Sequence, residues 1–525
     1  MKRIVAIICL GVLMLFVIGT TVWNLAMDND DDAAQGSMGH PADPSAPGDG
    51  AGDPGGDQSA PDAALQSFYD QRVDWSDCGN RKCATIDVPL DYADPTGSTI
   101  SLNLLMRPAD DQDARLGYLV VNPGGPGAPG TSYADQAEYA LGEPVRAKFD
   151  VVGFDPRGTG KSSPVDCLSD AELDAYIAGD PTPDDPAEVT AMRRRNVEMG
   201  AGCQRLSGDV AAHVSTVEAA RDMDVLRAAL DEDKLTYFGA SYGTKLGATY
   251  ADLFPDRSGR LVLDGAVDVS LTSEQLSLGQ AEGFQRAITA YVDACVEGGS
   301  CFLGRSRAAA LKTIKQFLAK VDAKPLTVGD RSLEVGNAFY GIVTPLYNDE
   351  YWPILDGALE KALKGDGSGL LQLSDAYSSR DATGGYSDNS SEAFWAISCR
   401  DDPWSMPTSK IPATFAQFRK ASPTFGDVFA WGLNSCVGYQ GPKPEKRPPL
   451  TAKGADPLLV VGTTRDPATP YEWAQSLAKQ LDPAILVSRN GDGHTGYNMG
   501  NDCVDDTIES YLIDGEVPSA DVTCR

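Results

Sequence analysis

The sequence is poor in basic residues and in histidine, and each shortage excludes a class of function. Lys and Arg number 44 against 75 Asp and Glu, which gives a formal net charge of -31 at pH 7. So acidic a chain repels nucleic-acid backbones and anionic lipid surfaces, and no nucleic-acid partner is expected. The three histidines and the cysteines do not cluster at metal-ligand spacing, so we predict neither a metal site nor a cofactor. The sequence contains no internal repeat.

The N-terminus combines a basic start, an apolar run and an acidic continuation. Lys2 and Arg3 precede the apolar run, and four aspartates follow within residues 28–32. This order of charges directs the rest of the chain outward across the membrane. About 20 apolar residues can span a bilayer, so an uncleaved anchor, which we favour slightly, competes with a signal peptide over residues 1–27. Cys9 lacks the small-residue context of a lipid-attachment site, so no lipidation is predicted.

The remaining chain, long enough for one large core and an additional domain, divides by composition. Residues 28–63 consist mostly of Asp, Ala, Gly, Pro and Ser, and we expect them to form a disordered tether because they have little to bury. We assign residues 64–267 and 457–525 to one core and residues 268–456 to an inserted helical lid. The alternative for the insertion is an independent C-terminal domain, against which the strand-like segments after residue 457 argue.

Ten cysteines follow Cys9, and an even number in an exported chain indicates disulfide bonds. Ten cysteines allow about 945 pairings, so the sequence does not determine the connectivity. We nevertheless predict sequential pairing, because two pairs are close neighbours and the other six cysteines then fall into neighbouring pairs. The predicted bonds are Cys78–Cys83, Cys167–Cys203, Cys295–Cys301, Cys399–Cys436 and Cys503–Cys524.

Short apolar segments that end in glycine-rich turns alternate with helical stretches along the core. Strands are predicted at residues 116–122, 149–155, 235–239, 260–264, 458–462 and 485–488, and helices at 219–229 and 243–253. This alternation predicts an α/β fold with a mostly parallel central sheet and helices on both faces. Further helices are predicted in the lid at residues 280–295, 305–321 and 352–363.

The most informative chemical motif is Gly-Ala-Ser-Tyr-Gly at residues 239–243, which has the Gly-x-Ser-x-Gly form of a nucleophile elbow. Ser241 at its centre follows a predicted strand and precedes a predicted helix that carries Gly243 and Gly247 one turn apart. A serine hydroxyl is a weak nucleophile and needs a neighbouring base. Ser241 is therefore the predicted nucleophile, and the alternative is a structural glycine turn with an incidental serine.

Histidine is the expected base, because its unperturbed pKa lets it accept and return a proton near neutral pH. His40 lies in the tether, and His213 lies ahead of the helix that leads into the nucleophile strand. His494, in Gly-Asp-Gly-His-Thr-Gly at residues 491–496, follows a late strand. The order serine, acid, histidine along the chain is the one found with such an elbow, so we predict His494 as the base.

A carboxylate at the end of a late strand should hold the correct tautomer of the imidazole. Asp466 follows the strand predicted at 458–462 and is favoured. Asp264, after the strand at 260–264, stays an alternative because some hydrolases place their acid there. Asp492 is two residues from the histidine, which is too near in sequence for its side chain to point across at the imidazole.

Backbone amides should face the oxygen on which negative charge develops. We predict the N–H of Tyr242, directly after the nucleophile, and the N–H of Gly125 in the Pro-Gly-Gly-Pro-Gly loop at residues 123–127. Glycine in that loop lets the backbone approach a substrate closely. A purely structural turn is the alternative, and a phosphate-binding loop is disfavoured because no lysine or helix start completes it.

Five motifs together resemble the exported tripeptidyl aminopeptidases of actinobacteria, which are relatives of the prolyl iminopeptidases. They are Asn-Pro-Gly-Gly-Pro-Gly at 122–127, Gly-Phe-Asp-Pro-Arg-Gly-Thr-Gly-Lys-Ser at 153–162, Gly-Ala-Ser-Tyr-Gly-Thr at 239–244, Val-Leu-Asp-Gly at 262–265 and Asp-Pro-Ala-Thr-Pro at 466–470. The resemblance runs from about residue 75 to residue 524 and includes Ala-Ile-Ser-Cys-Arg-Asp at 396–401. It implies an α/β-hydrolase fold, a triad of Ser241, Asp466 and His494, and removal of short peptides from free N-termini beneath the lid.

The expected partner is a peptide or protein with a free N-terminus, bound by a monomeric enzyme on the outer side of the cell envelope, secreted or anchored. Such an enzyme needs carboxylates for the substrate ammonium, and the lid offers five that the sequence does not rank: Asp349, Glu350, Glu392, Asp401 and Asp402. A carboxylesterase or lipase with the same triad is the second hypothesis, because one acyl-enzyme mechanism serves esters and amides. A non-catalytic adhesion protein is the third, and the complete triad argues against it.

Overall fold

The strands of the computed structural model, which describes residues 57–525, form one large sheet and one small hairpin. Their bounds are β1 Ser76–Cys78, β2 Arg81–Pro89, β3 Thr99–Arg107, β4 Gly117–Asn122, β5 Phe149–Phe154, β6 Leu235–Ala240, β7 Ser258–Asp264, β8 Leu326–Val328, β9 Arg331–Leu333, β10 Leu458–Arg465, β11 Ala484–Asp492 and β12 Val522–Cys524. Within the described residues the large sheet has ten strands in the order β1-β2-β3-β5-β4-β6-β7-β10-β11-β12. Pairing is antiparallel from β1 to β5 and parallel from β5 to β12. The predicted mostly parallel sheet is confirmed.

The middle strands are buried on both faces of the sheet. In β4, Leu119 and Val121 pack into one apolar cluster, and Val120 between them packs into another. Successive side chains of a strand point to opposite faces, so the two clusters lie on opposite sides. A parallel strand covered on both faces requires a nearly continuous apolar sequence, which is the pattern that predicted these strands.

Helices cover the sheet and build the lid. Their bounds are α1 Gln66–Tyr69, α2 Gly130–Asp135, α3 Ala137–Ala140, α4 Glu143–Lys148, α5 Asp170–Ala178, α6 Pro186–Ala212, α7 Thr216–Ala229, α8 Tyr242–Leu253, α9 Ser273–Glu297, α10 Arg307–Ala323, α11 Val335–Val343, α12 Trp352–Leu363, α13 Ser368–Tyr377, α14 Ser390–Asp401, α15 Phe415–Ala421, α16 Gly426–Gly432, α17 Tyr471–Gln480 and α18 Asp502–Asp514. Short 3-10 helices lie at Ala63–Leu65, Gln112–Ala114, Pro255–Arg257, Thr344–Tyr347, Asp349–Tyr351, Thr408–Ala413 and Ser435–Gly438. All five predicted helices are present.

The chain between β7 and β10 forms a mainly helical body with an apolar core of its own. This stretch contains α9 to α16 and the hairpin β8–β9. Its core joins apolar side chains of α9, α10, α11, α12 and α13, among them Ile288, Ile314, Ile342, Leu359 and Leu371. The term lid is kept below for residues 268–456.

Helix α6, in the segment assigned to the core, contacts the lid. The side-chain amide of Asn196 in α6 donates to the backbone carbonyl of Asn434 over 3.3 Å, and Gly200 lies against Gly438 and Trp395. The sequence analysis predicted no helix in residues 170–212. The lid therefore packs against a core helix that was not predicted from the sequence.

Contacts with the core begin inside the segment assigned to the tether. Arg227 donates to the backbone carbonyl of Asp57 over 2.7 Å, and Arg257 donates to that of Ser59 over 2.5 Å. Folded contacts are therefore already present at Asp57, the first described residue, within the segment predicted as a tether.

The signal peptide or anchor predicted at residues 1–27, Cys9 within it, and tether residues 28–56 with His40 all lie outside the described residues. In the part of the chain that the structure describes, no helix combines the length and the apolar composition needed to cross a membrane.

Five disulfide bonds join the ten cysteines of residues 57–525, in the sequential order that was predicted. They are Cys78–Cys83, Cys167–Cys203, Cys295–Cys301, Cys399–Cys436 and Cys503–Cys524. Each bridge closes a local loop, with partners separated by 5 to 37 positions in the sequence. Such cross-links restrict the unfolded chain and so favour the folded one.

The motif at residues 153–162 has a structural role. Asp155 accepts hydrogen bonds from the amide and hydroxyl of Thr131 and from the amide of Lys161. Arg157 is fully buried and donates twice to the carboxylate of Asp222, each time over 2.7 Å. It also donates to three backbone carbonyls. A buried guanidinium needs such partners, and here they fix the loop that follows β5.

Candidate active site

Ser241 lies in the sharp turn between β6 and α8, with φ 56° and ψ -123°. Its N–H donates to the backbone carbonyl of Asp264 over 2.8 Å. The turn requires glycine on both sides. A Cβ at Gly239 would lie 2.5 Å from the carbonyl oxygen of Gly243, and a Cβ at Gly243 would lie 2.8 Å from that of Asn122. The sequence pattern thus places the serine hydroxyl at the carboxyl edge of the sheet.

The glycine-rich loop at residues 123–127 packs against this turn. A Cβ at Gly124 would lie 2.8 Å from Cβ of Ser241 and 2.9 Å from the backbone nitrogen of Tyr242. The amide of Tyr242 is the first of α8, where amides have no acceptor within the helix and the helix dipole favours negative charge. The two predicted oxyanion donors, Tyr242 and Gly125, therefore belong to adjoining segments.

Asp466 and His494 are hydrogen-bonded to each other just beyond β10 and β11. Nδ1 of His494 lies 2.8 Å from Oδ2 and 3.0 Å from Oδ1 of Asp466. The carboxylate is fully buried, and the imidazole is 13% exposed. The carboxylate also accepts the backbone amides of Ala468, Thr469 and Thr495. These bonds hold the carboxylate still beneath the imidazole.

The segment after β7 connects the serine turn with the histidine. The carbonyl of Asp264 accepts the amide of Ser241, and a Cβ on Gly265 would lie 3.2 Å from Cε1 of His494. The structure therefore brings Ser241 and the Asp466–His494 pair to the same edge of the sheet.

Asp264, the main rival for the acid, has a different set of partners. Its two oxygens accept the amides of Gly496 and Tyr497 over 2.8 and 2.9 Å. Complete burial raises the pKa of Asp264 to about 6, although these two amides oppose the rise. The carboxylate holds the backbone of the histidine loop, whereas the imidazole bonds to Asp466.

Asp492, the second rival, forms an ion pair instead. Its two oxygens accept hydrogen bonds of 2.8 Å from Arg465. The carboxylate of Asp492 is thus bonded to Arg465, as expected for a residue too near in sequence to reach across to the imidazole.

Opposing influences act on the proton affinity of His494. Burial alone would lower its pKa, but the charge of Asp466, its hydrogen bond to Nδ1 and the charge of Asp264 together raise the pKa above the ordinary value. The site therefore stabilises the imidazolium, which is the form that a histidine base takes after accepting a proton.

His213 belongs to a separate ionic network. Its Nδ1 lies 2.8 Å from the carboxylate of Glu218, and Asp91, His213 and Glu218 place potential ligand atoms within 4.8 Å of one another. The guanidinium groups of Arg157 and Arg400 each approach Glu218 to 3.9 Å. Two cations beside this carboxylate disfavour a metal ion there, and the group is better described as an ion-pair network.

Three contacts around the site were not identified from the sequence. The hydroxyl of Thr469 donates to Asp466 over 3.0 Å. The backbone carbonyl of Tyr347 in the lid accepts the amide of His494 over 2.8 Å. Asp401, one of the five lid carboxylates considered above, forms an ion pair of 2.6 Å with Lys245 of α8. Thr469 follows Asp466 at the spacing of a local side-chain turn, but the two lid contacts depend on how the lid packs and leave no pattern in the sequence.

The fold and the site define a serine hydrolase of the α/β-hydrolase class. The chain is 34% identical over 478 residues to serine protease Hip1 of Mycobacterium tuberculosis, with 86% of this chain and 91% of that protein covered. It is 36% identical over 488 residues to carboxylesterase B of the same species, covering 90% and 92%. It is 31% identical over 484 residues to the tripeptidyl aminopeptidase of Streptomyces lividans, covering 89% and 90%. The family described as TAP-like protein matches residues 422–524. The chain belongs to the actinobacterial tripeptidyl aminopeptidase family.

The assignment of Asp466 as the partner of His494 predicts how the imidazole titrates. In Asp466→Asn the pKa of His494 should fall, because the imidazolium loses its hydrogen-bonded anion while burial still opposes the charge. Histidine proton resonances followed by NMR against pH measure this, and His494→Gln assigns the signal. Asp492→Asn is the matched control and should leave the titration in place, since its carboxylate is bonded to Arg465. A larger fall in Asp264→Asn than in Asp466→Asn would contradict the assignment.

Proposed function

We propose that the chain is a serine peptidase that releases short peptides, two or three residues long, from the free N-termini of its substrates. Ser241 is the nucleophile, His494 the general base and Asp466 the residue that orients the base. The observation that carries this proposal is the buried Asp466–His494 hydrogen bond at the sheet edge that carries the Ser241 turn.

The geometry supports a reaction in two stages. Asp466 engages Nδ1 of His494, so Nε2 is the nitrogen that takes the proton from Ser241 as its Oγ attacks the substrate carbonyl. The amides of Tyr242 and Gly125 receive the negative charge that develops on the carbonyl oxygen. The imidazolium then returns the proton to the departing amine, which leaves the peptidyl group as an ester on Ser241. Water activated by His494 attacks the ester and releases the short peptide.

Three of the five lid carboxylates considered for the substrate ammonium are occupied. Glu392 is buried and accepts two backbone amides over 2.7 and 2.8 Å. Asp401 is paired with Lys245, and Asp402 accepts a serine hydroxyl over 2.5 Å. Their hydrogen-bonding capacity is directed to the protein itself, which leaves Asp349 and Glu350.

Glu350 is the better placed of the remaining pair. Both residues are exposed, but Asp349 interacts electrostatically with Arg465. Partial burial raises the pKa of Glu350, and the charge of Asp349 raises it further. A bound ammonium would lower this pKa again. Glu350 follows three residues after Tyr347, whose ring contacts His494. We assign the ammonium site to Glu350.

The second candidate function is ester hydrolysis, favoured by the 36% identity to a protein named carboxylesterase B. The same serine, base and oxyanion donors cleave esters and amides through one acyl-enzyme mechanism. The two functions therefore differ in substrate recognition.

We place the enzyme on the outer side of the cell envelope, secreted or anchored through its N-terminal segment. Support comes from the basic, apolar and acidic order at the N-terminus and from the five disulfides, which persist in oxidising compartments.

Three chromogenic substrates separate the candidate functions: a free-amine tripeptide anilide, its N-acetylated twin and a short acyl ester. We expect kcat/KM for the free-amine anilide to exceed that for the acetylated twin by about tenfold or more, because acetylation removes a charge-assisted hydrogen bond. Equal rates on the twins would contradict aminopeptidase action, and turnover of the ester alone would favour the second function. Ser241→Ala should abolish both hydrolysis and labelling by a fluorophosphonate, and retained labelling would show that another serine reacts.

The assignment of the ammonium site predicts a selective effect of Glu350→Gln. KM for the free-amine anilide should rise by about tenfold, the cost of losing one hydrogen bond to a charged group, while KM for the acyl ester stays unchanged. Steady-state kinetics on both substrates measure this. Glu360→Gln, a lid glutamate paired with Lys364, is the matched control and should alter neither value. A similar rise for the ester would show that Glu350 shapes the site without recognising the amine.

A further inference from the structure

Four consecutive backbone amides of the histidine loop, residues 494–497, are each held by a defined acceptor. Those of residues 495, 496 and 497 donate to the carboxylates of Asp466 and Asp264, which belong to the core. The first, that of His494 itself, donates to the backbone carbonyl of Tyr347 in the lid. The loop needs such support because Thr495, which is not glycine, has a φ of 74°.

The side chain of Tyr347 also contacts the imidazole. The two rings meet nearly perpendicularly, at 81°, with their centroids 5.5 Å apart. The lid holds the tyrosine ring in turn: Phe284 of α9 packs edge-on against it at 5.6 Å, and its hydroxyl is hydrogen-bonded to Tyr377 of α13. The position of the ring is therefore set by the packing of the lid helices.

We propose that Tyr347 is a positioning residue for His494, so that the lid holds the imidazole towards Ser241 with its backbone carbonyl and covers one side of the ring from water. The proposal rests on the proposed function, since it takes His494 as the base. It assigns the lid a part in the arrangement of the catalytic groups in addition to covering the substrate.

The contact between Tyr347 and His494 predicts the direction in which the pH dependence changes when the tyrosine ring is removed. The groups that face the imidazole are Asp466 after β10, Asp264 at the end of β7 and the Tyr347 ring from the lid. The two carboxylates favour the imidazolium, whereas burial, to which the tyrosine ring contributes, disfavours it. Removing the ring admits water and leaves both carboxylates in place. The pKa of His494 should then rise, and the pH below which the base is lost should move upward.

Two variants separate positioning from a general loosening of the lid. Tyr347→Phe keeps the ring and the backbone carbonyl and removes the hydroxyl alone. Asp401→Asn weakens a different attachment of the lid, the ion pair with Lys245, without touching the imidazole. Tyr347→Ala removes the ring, and Tyr347→Ser also removes it while keeping a small polar side chain.

The measurement is the second-order rate constant of fluorophosphonate labelling on the full chain, from about pH 5 to about pH 9, the range in which histidine titrates. For Tyr347→Ala we expect a fall of about tenfold to a hundredfold at the plateau, the scale of a small misplacement of a catalytic group, and an upward shift of the acid limb. Asp401→Asn should keep the wild-type midpoint, and Tyr347→Phe, which keeps the ring, should shift the acid limb less than Tyr347→Ala does.

An unshifted acid limb in Tyr347→Ala, or an equal shift in Asp401→Asn, would overturn the proposal. If circular dichroism shows that Tyr347→Ala is unfolded, Tyr347→Ser, which also removes the ring, is judged by the same criteria. Labelling needs the nucleophile and its base but no peptide substrate, so this test does not depend on which substrate the enzyme cleaves. A wild type that is not labelled at all would contradict the proposed function itself.

Discussion

The backbone of Ser241 is the constraint on which the active-site edge depends. A positive φ costs a non-glycine residue about 1–3 kcal/mol, so the turn persists only where its surroundings determine it. Here the serine amide is bonded to Asp264, and the serine carbonyl accepts both the amide and the hydroxyl of Thr244. The flanking glycines let β6, α8 and the neighbouring strand approach closely. The sheet, the helix and the glycine loop can thus be understood as the support for one partly buried hydroxyl.

Two buried carboxylates at the ends of neighbouring strands position the histidine and its loop. Asp264 at the end of β7 holds the backbone of the histidine loop, and Asp466 after β10 holds the imidazole. Their environments differ accordingly: burial raises the pKa of Asp264 to about 6, while Asp466 has the imidazole and several amides as hydrogen-bond partners. The lid completes the arrangement through Tyr347, so the histidine has supports from two parts of the chain.

The sequence predicted the features whose physical requirements are local. Strands such as β4 and β5, buried on both faces, need continuous apolar segments, and the Ser241 turn needs glycines at fixed spacing. Strand β3, which lies between β2 and β5, was missed because one of its faces is only partly buried, which halves the apolar signal. Helix α6 was missed because its sequence is mostly polar, with glycines at its contacts with other backbone segments. The contact between Tyr347 and His494 joins residues 147 positions apart in a manner that only the folded lid determines.

The central claim is that Ser241 carries the peptidyl group during turnover. It is tested most directly by quenching the enzyme in acid during hydrolysis of a free-amine tripeptide ester and mapping the digested chain by mass spectrometry. The account predicts a mass increase equal to the tripeptidyl group on the peptide that contains Ser241. Two results would contradict it. One is an adduct on a different residue. The other is turnover without an adduct at any quench time, in the wild type and in Asp466→Asn alike.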